Sequence, residues 1–261
     1  MSENRHALIF GLGKQEDTNW TKVNGDKDAE YVKDMLLRSN FRNITILTNE
    51  YATKQAMVQA FIDLTKTCIS GDIVYIHFSG HGQYMTDING DEAERWKGKH
   101  SKWDESWIPY DAYMYYGNKD HGEKHFCDDE IAIFLDKIRK RIGKSGKLYV
   151  VIDACHSGDA TRGENDDIVR GVDQEFIIPK QFGTIPDKPI DEKWLTISAC
   201  KPYQLCFEQK RPAAGKLTYA LYLLGNRIFE MSNNELQNEL QKYMNEHPAR
   251  LPQTPVVSGK R

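Results

Sequence analysis

A histidine and a cysteine each follow an apolar run and stand in a glycine-containing turn. His81 lies in the sequence SGHG after Ile73–Ser79, and Cys155 lies in the sequence DACHSG at the end of Lys147–Asp153. A thiolate beside an imidazole is suited to attack on a carbonyl carbon and to protonation of the leaving group. The sequence therefore predicts a hydrolytic site with Cys155 as nucleophile and His81 as its catalytic partner.

A structural interpretation competes with this one. Cys155 alone would be a small buried hydrophobe, and His81 alone a loop histidine bonded to a carbonyl. The occurrence of both at strand ends with flanking glycines favours the functional interpretation. Of the two other candidate bases, His77 lies inside an apolar run and is expected to pack. His156 would point to the opposite side from Cys155 on an extended backbone.

Predicted strands and helices alternate along the chain and would position this pair. The strands are Ala7–Gly11, Ile44–Leu47, Ile73–Ser79, Lys147–Asp153 and Trp194–Ser198. The helices are Lys27–Arg38, Lys54–Thr67 with Thr53 as N-cap, Asp128–Ile142, Leu217–Phe229 and Asn233–Asn245. This alternation predicts a mainly parallel sheet covered by helices on both faces. Parallel strands share a carboxyl edge, where His81 and Cys155 meet.

Two stretches, at about 83–127 and 159–193, show no sustained period and are rich in polar residues. Long irregular segments inside a compact domain are usually functional. We interpret them as active-site loops on a single domain that covers residues 1–261.

The histidine and cysteine motifs together resemble those of metacaspases. Further matching segments follow in the family's order, namely Ala7–Gly11, Asp28-Ala29, Asp128–Glu130, Ile197–Cys200 and Gly215–Thr218. The Q-A-C-[RQG]-G signature of animal caspases is absent. The resemblance implies a caspase-like three-layer α/β/α sandwich with a mainly parallel central sheet. It also implies a cysteine endopeptidase that cleaves after Arg or Lys.

The resemblance assigns further residues to substrate binding. The amides of Gly82 and Cys155 would form the oxyanion hole, and Asp153, Asp28 and Ser79 would line an acidic S1 pocket. Asp153 is also expected there from its position two residues before Cys155, because a buried carboxylate requires a cationic partner. An alternative for Asp153 is that it caps backbone amides. A separate alternative is that Asp26 takes the place of Asp28.

Calcium is a further expectation from the resemblance. Asp104, Asp128 and Asp129 would bind Ca²⁺, with one more ligand from among Asp159, Glu164 and Asp166. Clustered carboxylates suit a hard cation with six to eight oxygen ligands. The alternative is that Asp128 and Asp129 form an ordinary acidic helix start.

Basic residues in the stretch after the nucleophile suggest self-processing. Arg162, Arg170, Lys180 and Lys188 would be candidate cleavage sites for an enzyme that prefers basic residues. The alternative is a solvated loop with scattered charges.

Composition excludes several classes of protein. A net charge of -3 provides no basic field for nucleic acid, and no apolar run has the length of a membrane span. The five cysteines lack C-x-x-C spacing, which favours a reduced compartment. We expect a cytoplasmic monomer. The alternatives are an inactive caspase-like scaffold, or a legumain- or gingipain-like peptidase, whose secretory signal is not seen here.

Overall fold

The computed structural model describes residues 4–87, 103–156, 168–179, 193–202 and 204–260. In chain order the strands are β1 (Arg5–Gly11), β2 (Asn43–Thr48), β3 (Ile73–Ser79), β4 (Gly82–Thr86), β5 (Trp103–Trp107), β6 (Phe126–Cys127), β7 (Lys147–Asp153), β8 (Leu195–Ser198), β9 (Glu208–Lys210), β10 (Ala213–Gly215) and β11 (Val256–Gly259). The helices are α1 (Gly25–Arg38), α2 (Lys54–Thr67), α3 (Asp128–Ile142), α4 (Lys216–Leu224) and α5 (Asn233–Glu246). Short 3₁₀ turns cover Asn49–Tyr51 and Gly225–Phe229.

A six-stranded sheet forms the centre of the molecule, in the order β11-β8-β7-β3-β1-β2. Strands β2, β1, β3, β7 and β8 are parallel, and β11 is antiparallel to β8. Because β3 and β7 are neighbours with Ser79 opposite Asp153, the loops that follow them leave from the same edge. The predicted mainly parallel sheet is confirmed.

Alternate side chains of the central strands enter two separate cores. On one face, Ile9, Tyr75 and Val151 pack with apolar residues of α1, α4 and α5. On the other face, Phe10, Ile76 and Val150 pack with apolar residues of α2 and α3. All seven residues of β3 are buried, as expected for a strand with helices on both faces. The fold is a three-layer α/β/α sandwich.

The predicted elements agree closely with the structure where the hydrophobic period is long. Helices α2 and α3 and strands β3 and β7 have the predicted bounds, and the Thr53 side chain accepts a hydrogen bond from the Ala56 amide as N-cap. Helix α4 is shorter than predicted because Gly225, with a positive φ, ends it before the 3₁₀ turn.

The prediction that residues 83–127 are irregular is wrong in part. Strands β4, β5 and β6 form an antiparallel sheet of three strands within this stretch. These strands are two to five residues long, and β5 contains Asp104 and Glu105. Such short, partly charged strands are stabilised by their partners rather than by a hydrophobic period of their own.

A β-hairpin of β9 and β10 and the antiparallel strand β11 were also absent from the prediction. The single-domain assignment stays a prediction. Within the described ranges, the structure contains no helix with the length and apolarity needed to cross a membrane.

Candidate active site

His81 is fixed by a hydrogen bond to the backbone of another loop. Its Nε2 atom lies 2.6 Å from the Thr21 carbonyl oxygen, and its ring packs against Trp20 with 5.3 Å between centroids. A carbonyl only accepts, so Nε2 carries the proton and Nδ1 presents a lone pair. Nδ1 has no hydrogen-bond partner in the described part of the chain. Burial lowers the pKa of His81 from 6.5 to about 4, so the imidazole is a neutral base at pH 7.

Cys155 lies just beyond the end of β7, where its backbone and side chain have different partners. Its amide donates to the Arg170 carbonyl oxygen at 2.7 Å. Its Sγ atom donates to the Gln204 carbonyl oxygen at 2.9 Å. Since His81 Nδ1 lacks a hydrogen-bond partner, the thiol and the imidazole are not hydrogen-bonded to each other in this conformation.

A segment that follows the nucleophile in sequence passes through the site in extended form. The Glu208 amide donates to the Ile168 carbonyl, and the Arg170 amide donates to the Cys206 carbonyl, both at 3.0 Å. Val169 is thereby paired antiparallel with Phe207. Residues 168–170 therefore add a short strand beside residues 206–208, which is how extended peptides bind to a sheet edge.

The same segment continues along β4 after Arg170. Gly171 forms a parallel bridge with Gly82, and Phe176 forms another with Met85. The peptide bond between Arg170 and Gly171 thus lies at the Cys155 amide, with ordered chain on both sides.

The Arg170 side chain is fully buried in an acidic pocket beneath the site. Its Nη2 atom lies 2.6 Å from Asp28 Oδ2 and 2.8 Å from Glu208 Oε1. Its Nη1 atom donates to Ser79 Oγ at 2.5 Å and lies 3.6 Å from Asp153 Oδ1. Three carboxylates therefore surround one guanidinium.

Asp28 is the aspartate of α1 that lines this pocket. It is fully buried and accepts a hydrogen bond from Ser79 Oγ at 2.6 Å. Asp26, the alternative, instead accepts from the Asn49 side chain at 3.3 Å. Burial raises the pKa of Asp28 from 3.8 to about 6, although the Arg170 charge opposes the rise. Burial and the Asp153 charge therefore disfavour the ionised form of Asp28, and the Arg170 guanidinium favours it.

Asp153 makes both kinds of contact that the sequence left open, to a backbone amide and to a cationic side chain. Its Oδ2 atom accepts from the Thr218 amide at 2.8 Å and from the Thr218 hydroxyl at 2.7 Å, which caps the start of α4. Its Oδ1 atom faces Arg170. One carboxylate therefore connects the helix start to the pocket.

The comparisons with known proteins agree with this geometry. A family model described as the caspase domain matches residues 4–260. This chain belongs to the caspase-domain family. It is 34% identical over 165 residues to metacaspase-2 of Arabidopsis thaliana, a match that covers 59% of this chain and 34% of that protein. It is 30% identical over 167 residues to metacaspase-1 of Eremothecium gossypii, covering 60% and 32%. The match spans about a third of the length of these curated relatives.

Solved structures of low sequence identity share the fold of this caspase-domain chain. A crystal structure of caspase-1 from Spodoptera frugiperda matches with a TM-score of 0.61 at 12% identity, covering 98% of this chain and 86% of that chain. A protein from Geobacter sulfurreducens matches with a TM-score of 0.67 at 20% identity, covering 99% and 94%. The predicted caspase-like fold and the resemblance to metacaspases are confirmed.

Glu208 is the pocket residue of this caspase-domain chain that sequence reasoning missed. It lies in the short strand β9, outside the histidine and cysteine motifs. Its Oε1 atom accepts from the Asn24 amide at 2.5 Å and from Arg170 Nε at 3.2 Å. A nearly buried carboxylate in a three-residue strand has no period or motif that identifies it, so only the tertiary structure shows its role.

The two rival histidines have other partners. His77 is fully buried, with Nε2 3.1 Å from Thr218 Oγ1. His156 Nδ1 lies 3.2 Å from Glu105 Oε2, and its ring lies close to Gly82, where an added Cβ would be 2.7 Å from His156 Cδ2. These partners differ from that of His81, whose Nε2 atom bonds to the Thr21 carbonyl oxygen.

The three aspartates expected to bind calcium lie at the junction of β5, β6 and α3. Ser106 pairs with Cys127 in antiparallel register, so Asp104 before it and Asp128 and Asp129 after it approach each other. Burial raises the pKa of Cys127, and Glu130, Asp128 and Asp104 raise it further, which places these carboxylates around one thiol. Asp159, Glu164 and Asp166 lie outside the described residues.

Proposed function

We propose that this caspase-domain chain is a cysteine endopeptidase that cleaves after Arg or Lys. One observation carries the proposal. Arg170 lies in the acidic pocket while its carbonyl oxygen accepts a hydrogen bond from the Cys155 amide. A substrate arginine bound in the same way would present its carbonyl carbon to the adjacent thiol.

The reaction follows from the chemistry of these groups. The Cys155 thiol rotates from Gln204 toward His81 Nδ1, gives up its proton and attacks the carbonyl carbon. The Cys155 amide stabilises the oxyanion, and removal of such a donor typically costs about 2.7–4 kcal/mol. His81 then donates the proton to the leaving amine as the C–N bond breaks. Water hydrolyses the resulting thioester and restores the thiol.

Arg should be preferred to Lys in the pocket. All three guanidinium nitrogens of Arg170 have a partner: Nη1 bonds to Ser79, Nε to Glu208, and Nη2 to both Asp28 and Glu208. A planar guanidinium has five donors, whereas an ammonium is a point charge with three. A lysine would satisfy the charge but would leave some of these acceptors without their partner.

Fluorogenic peptides that differ only in a final Arg, Lys or Asp test the proposed function. We expect turnover in the order Arg, Lys, Asp, and none in Cys155→Ala. Turnover that persists in Cys155→Ala, or a preference for Asp, would refute it. A lack of turnover with every peptide, with and without calcium, would favour an inactive scaffold.

We further propose that the Arg170–Gly171 bond is a self-cleavage site. Of the four basic residues considered from sequence, Arg162, Lys180 and Lys188 lie outside the described residues. Arg170 lies with its carbonyl at the nucleophile and ordered chain on both sides. Until the bond is cut or the segment leaves, residues 168–171 occupy the position of a substrate.

Intact-mass spectrometry of the purified chain tests this assignment. The expected new amino terminus is Gly171, and it should be absent in Cys155→Ala and in Arg170→Ala. Lys180→Ala is the matched control and should still be cut at Gly171. Cleavage only at other positions in the wild type would contradict the assignment of Arg170.

Calcium binding by Asp104, Asp128 and Asp129 is also proposed. Burial of Asp104 and the proximity of Asp104 and Asp128 to Cys127 support it, because carboxylate oxygens are the ligands that a hard divalent cation prefers. When bound, Ca²⁺ would supply positive charge where β5 meets α3. Strand β5 pairs with β4, which in turn contacts the segment after Arg170.

Calcium titration of Asp104→Asn tests this proposal, with Asp136→Asn on α3 as control. We expect calcium to raise the thermal midpoint of the wild type and of the control but not that of Asp104→Asn. Equal calcium responses in all three proteins would exclude Asp104 as a ligand.

A further inference from the structure

Two further cysteine side chains lie beside Cys155. The sulfur atoms of Cys155, Cys200 and Cys206 all lie within 4.8 Å of one another. Cys200 and Cys206 are 2.7 Å apart at Sγ, and neither is in a disulfide. The proposed reaction uses only the Cys155 thiol, so two neighbouring thiols are left without a catalytic role.

The surroundings of this thiol cluster are carbonyl oxygens. The Gln204 carbonyl accepts from Cys155 Sγ at 2.9 Å and from Cys200 Sγ at 3.2 Å. The Ala154 carbonyl accepts from Cys206 Sγ at 3.2 Å. These bonds orient the three S–H groups, and the Gln204 oxygen faces two of the sulfurs.

We infer that Cys155, Cys200 and Cys206 form a binding site for one thiophilic divalent cation of the Zn²⁺ or Cd²⁺ type. Tetrahedral zinc with sulfur ligands at about 2.3 Å requires sulfurs roughly 4 Å apart, which small rotations of these side chains provide. Gln204 O or a water would be the fourth ligand. Each thiol must lose its proton, so three protons are released per cation bound.

A second group of three possible metal ligands differs from the thiol cluster, because its carboxylate and imidazole atoms already form hydrogen bonds within the fold. His6, Cys68 and Asp72 also lie within 4.8 Å of one another. Both oxygens of Asp72 accept hydrogen bonds, from Asn4 on one side and from His6 and Ile69 on the other. The carboxylate and imidazole atoms there are held by hydrogen bonds of the fold, whereas the three thiols contact backbone carbonyls and one another. Cys200 is partly exposed and provides an entry path for a cation.

Binding would inhibit the peptidase, and this consequence alone rests on the proposed function. The cation would fix the Cys155 sulfur on the side of Gln204, away from His81 Nδ1. Attack on a carbonyl requires that sulfur as a free thiolate. Inhibition should be reversed by a chelator.

Cadmium titration of the reduced full-length chain tests the site without reference to activity. We expect one Cd²⁺ per chain, an ultraviolet thiolate-to-cadmium band with the intensity of three Cd–S bonds, and release of three protons. In Cys200→Ser and Cys206→Ser the band should fall by a third. Their Cd²⁺ affinity should fall at least about 100-fold, because even the loss of a partner to a metal ligand costs 10–100-fold.

Cys68→Ser and Cys127→Ser are matched controls and should bind as the wild type does. A wild-type band of one Cd–S bond, unchanged in Cys206→Ser, would show binding by Cys155 and His81 only and would overturn the inference. A thiol count two short before metal is added would indicate a Cys200–Cys206 disulfide and would also overturn it. The intensity of the wild-type Cd–S band and the wild-type thiol count test the inference even if a variant fails to fold.

Discussion

At the scale of single residues, the pocket around Arg170 is defined by charge. Asp28, Asp153 and Glu208 bring three carboxylates to one guanidinium, and burial raises the pKa of Asp28 to about 6. Without a cation these carboxylates would repel each other in a site with little water. The Arg170 guanidinium supplies that cation here, which supports the proposed preference for basic substrates.

Glu208→Gln should weaken the processing of arginine peptides. The change keeps the size of the side chain but removes the charge from two hydrogen bonds to the guanidinium. Charge-assisted hydrogen bonds contribute about 1.5–3 kcal/mol, so kcat/KM should fall about 10- to 100-fold. Glu30→Gln on the exposed face of α1 is the control. An unchanged kcat/KM in Glu208→Gln would contradict the role of Glu208.

Most residues around the pocket could be predicted from the sequence because they lie in recognisable motifs. His81, Cys155, Asp153, Ser79 and Asp28 are all at the site, and Asp26 is not. Thr21 could not be predicted, since it acts through a backbone carbonyl that any residue type supplies. The catalytic and calcium-binding roles themselves stay predictions.

At the scale of secondary-structure elements, β10 forms the wall of the pocket. The Gly215 amide donates to Asp28 Oδ1 at 3.0 Å. A Cβ at this position would collide with the Asp153 carboxylate and would lie 2.6 Å from Arg170 Nη1. Only glycine leaves room for an arginine here.

Gly215→Ala is therefore expected to impair binding of arginine in the pocket. Overpacking typically costs about 1–3 kcal/mol, which corresponds to a fall in kcat/KM of about 5- to 160-fold. Gly117→Ala is the matched control, because an added Cβ there meets nothing within 4 Å. Equal effects of the two substitutions on arginine peptides would rule out β10 as the pocket wall.

The buried histidine of β3 makes stability depend on pH. Burial lowers the pKa of His77 from 6.5 to about 4. Between these values the unfolded chain binds a proton that the folded chain does not, so stability falls as the pH falls. Asp28 acts in the opposite sense, because its raised pKa lets the folded state bind a proton below about pH 6.

His77→Gln should therefore reduce acid sensitivity. In a Cys155→Ala background, the slope of unfolding free energy against pH between 6.5 and 4 should decrease by up to about 1.4 kcal/mol per pH unit. Urea unfolding at several pH values provides the measurement. A slope identical to that of the parent would mean that His77 is protonated in the folded state.

The predicted elements agree best with the observed ones where the hydrophobic pattern of the sequence is long and regular. Strands β3 and β7 and helices α2 and α3 are long, apolar or clearly amphipathic, and their bounds could be predicted. Strands β4, β5, β9 and β10 are short and polar, and their pairing depends on distant partners. Strand β9 nevertheless supplies Glu208, and β4 forms the bridges with the segment after Arg170.

At the scale of the whole molecule, the proposed cut lies inside the fold rather than between domains. Strand β7 precedes Arg170 and strand β8 follows it, and the two are hydrogen-bonded neighbours in the central sheet. The cut would leave strands β1, β2, β3 and β7 on one fragment and β8 and β11 on the other.

The two fragments should therefore stay together after self-cleavage. We expect them to elute as one species of unchanged size in size-exclusion chromatography and to separate only in denaturant. Separate elution in native buffer would show that the sheet does not hold them together. The cytoplasmic location and the monomeric state stay predictions, and the same elution volume tests the latter.

Covalent labelling of Cys155 tests the central claim most directly. Peptide chloromethyl ketones that end in Arg or in Asp alkylate a thiol placed at the substrate carbonyl, and peptide mass spectrometry identifies the labelled residue. The account predicts that the arginyl reagent labels Cys155, faster in Arg170→Ala than in the wild type, and that the aspartyl reagent does not. Equal labelling by both reagents, or labelling of another cysteine in preference to Cys155, would contradict it.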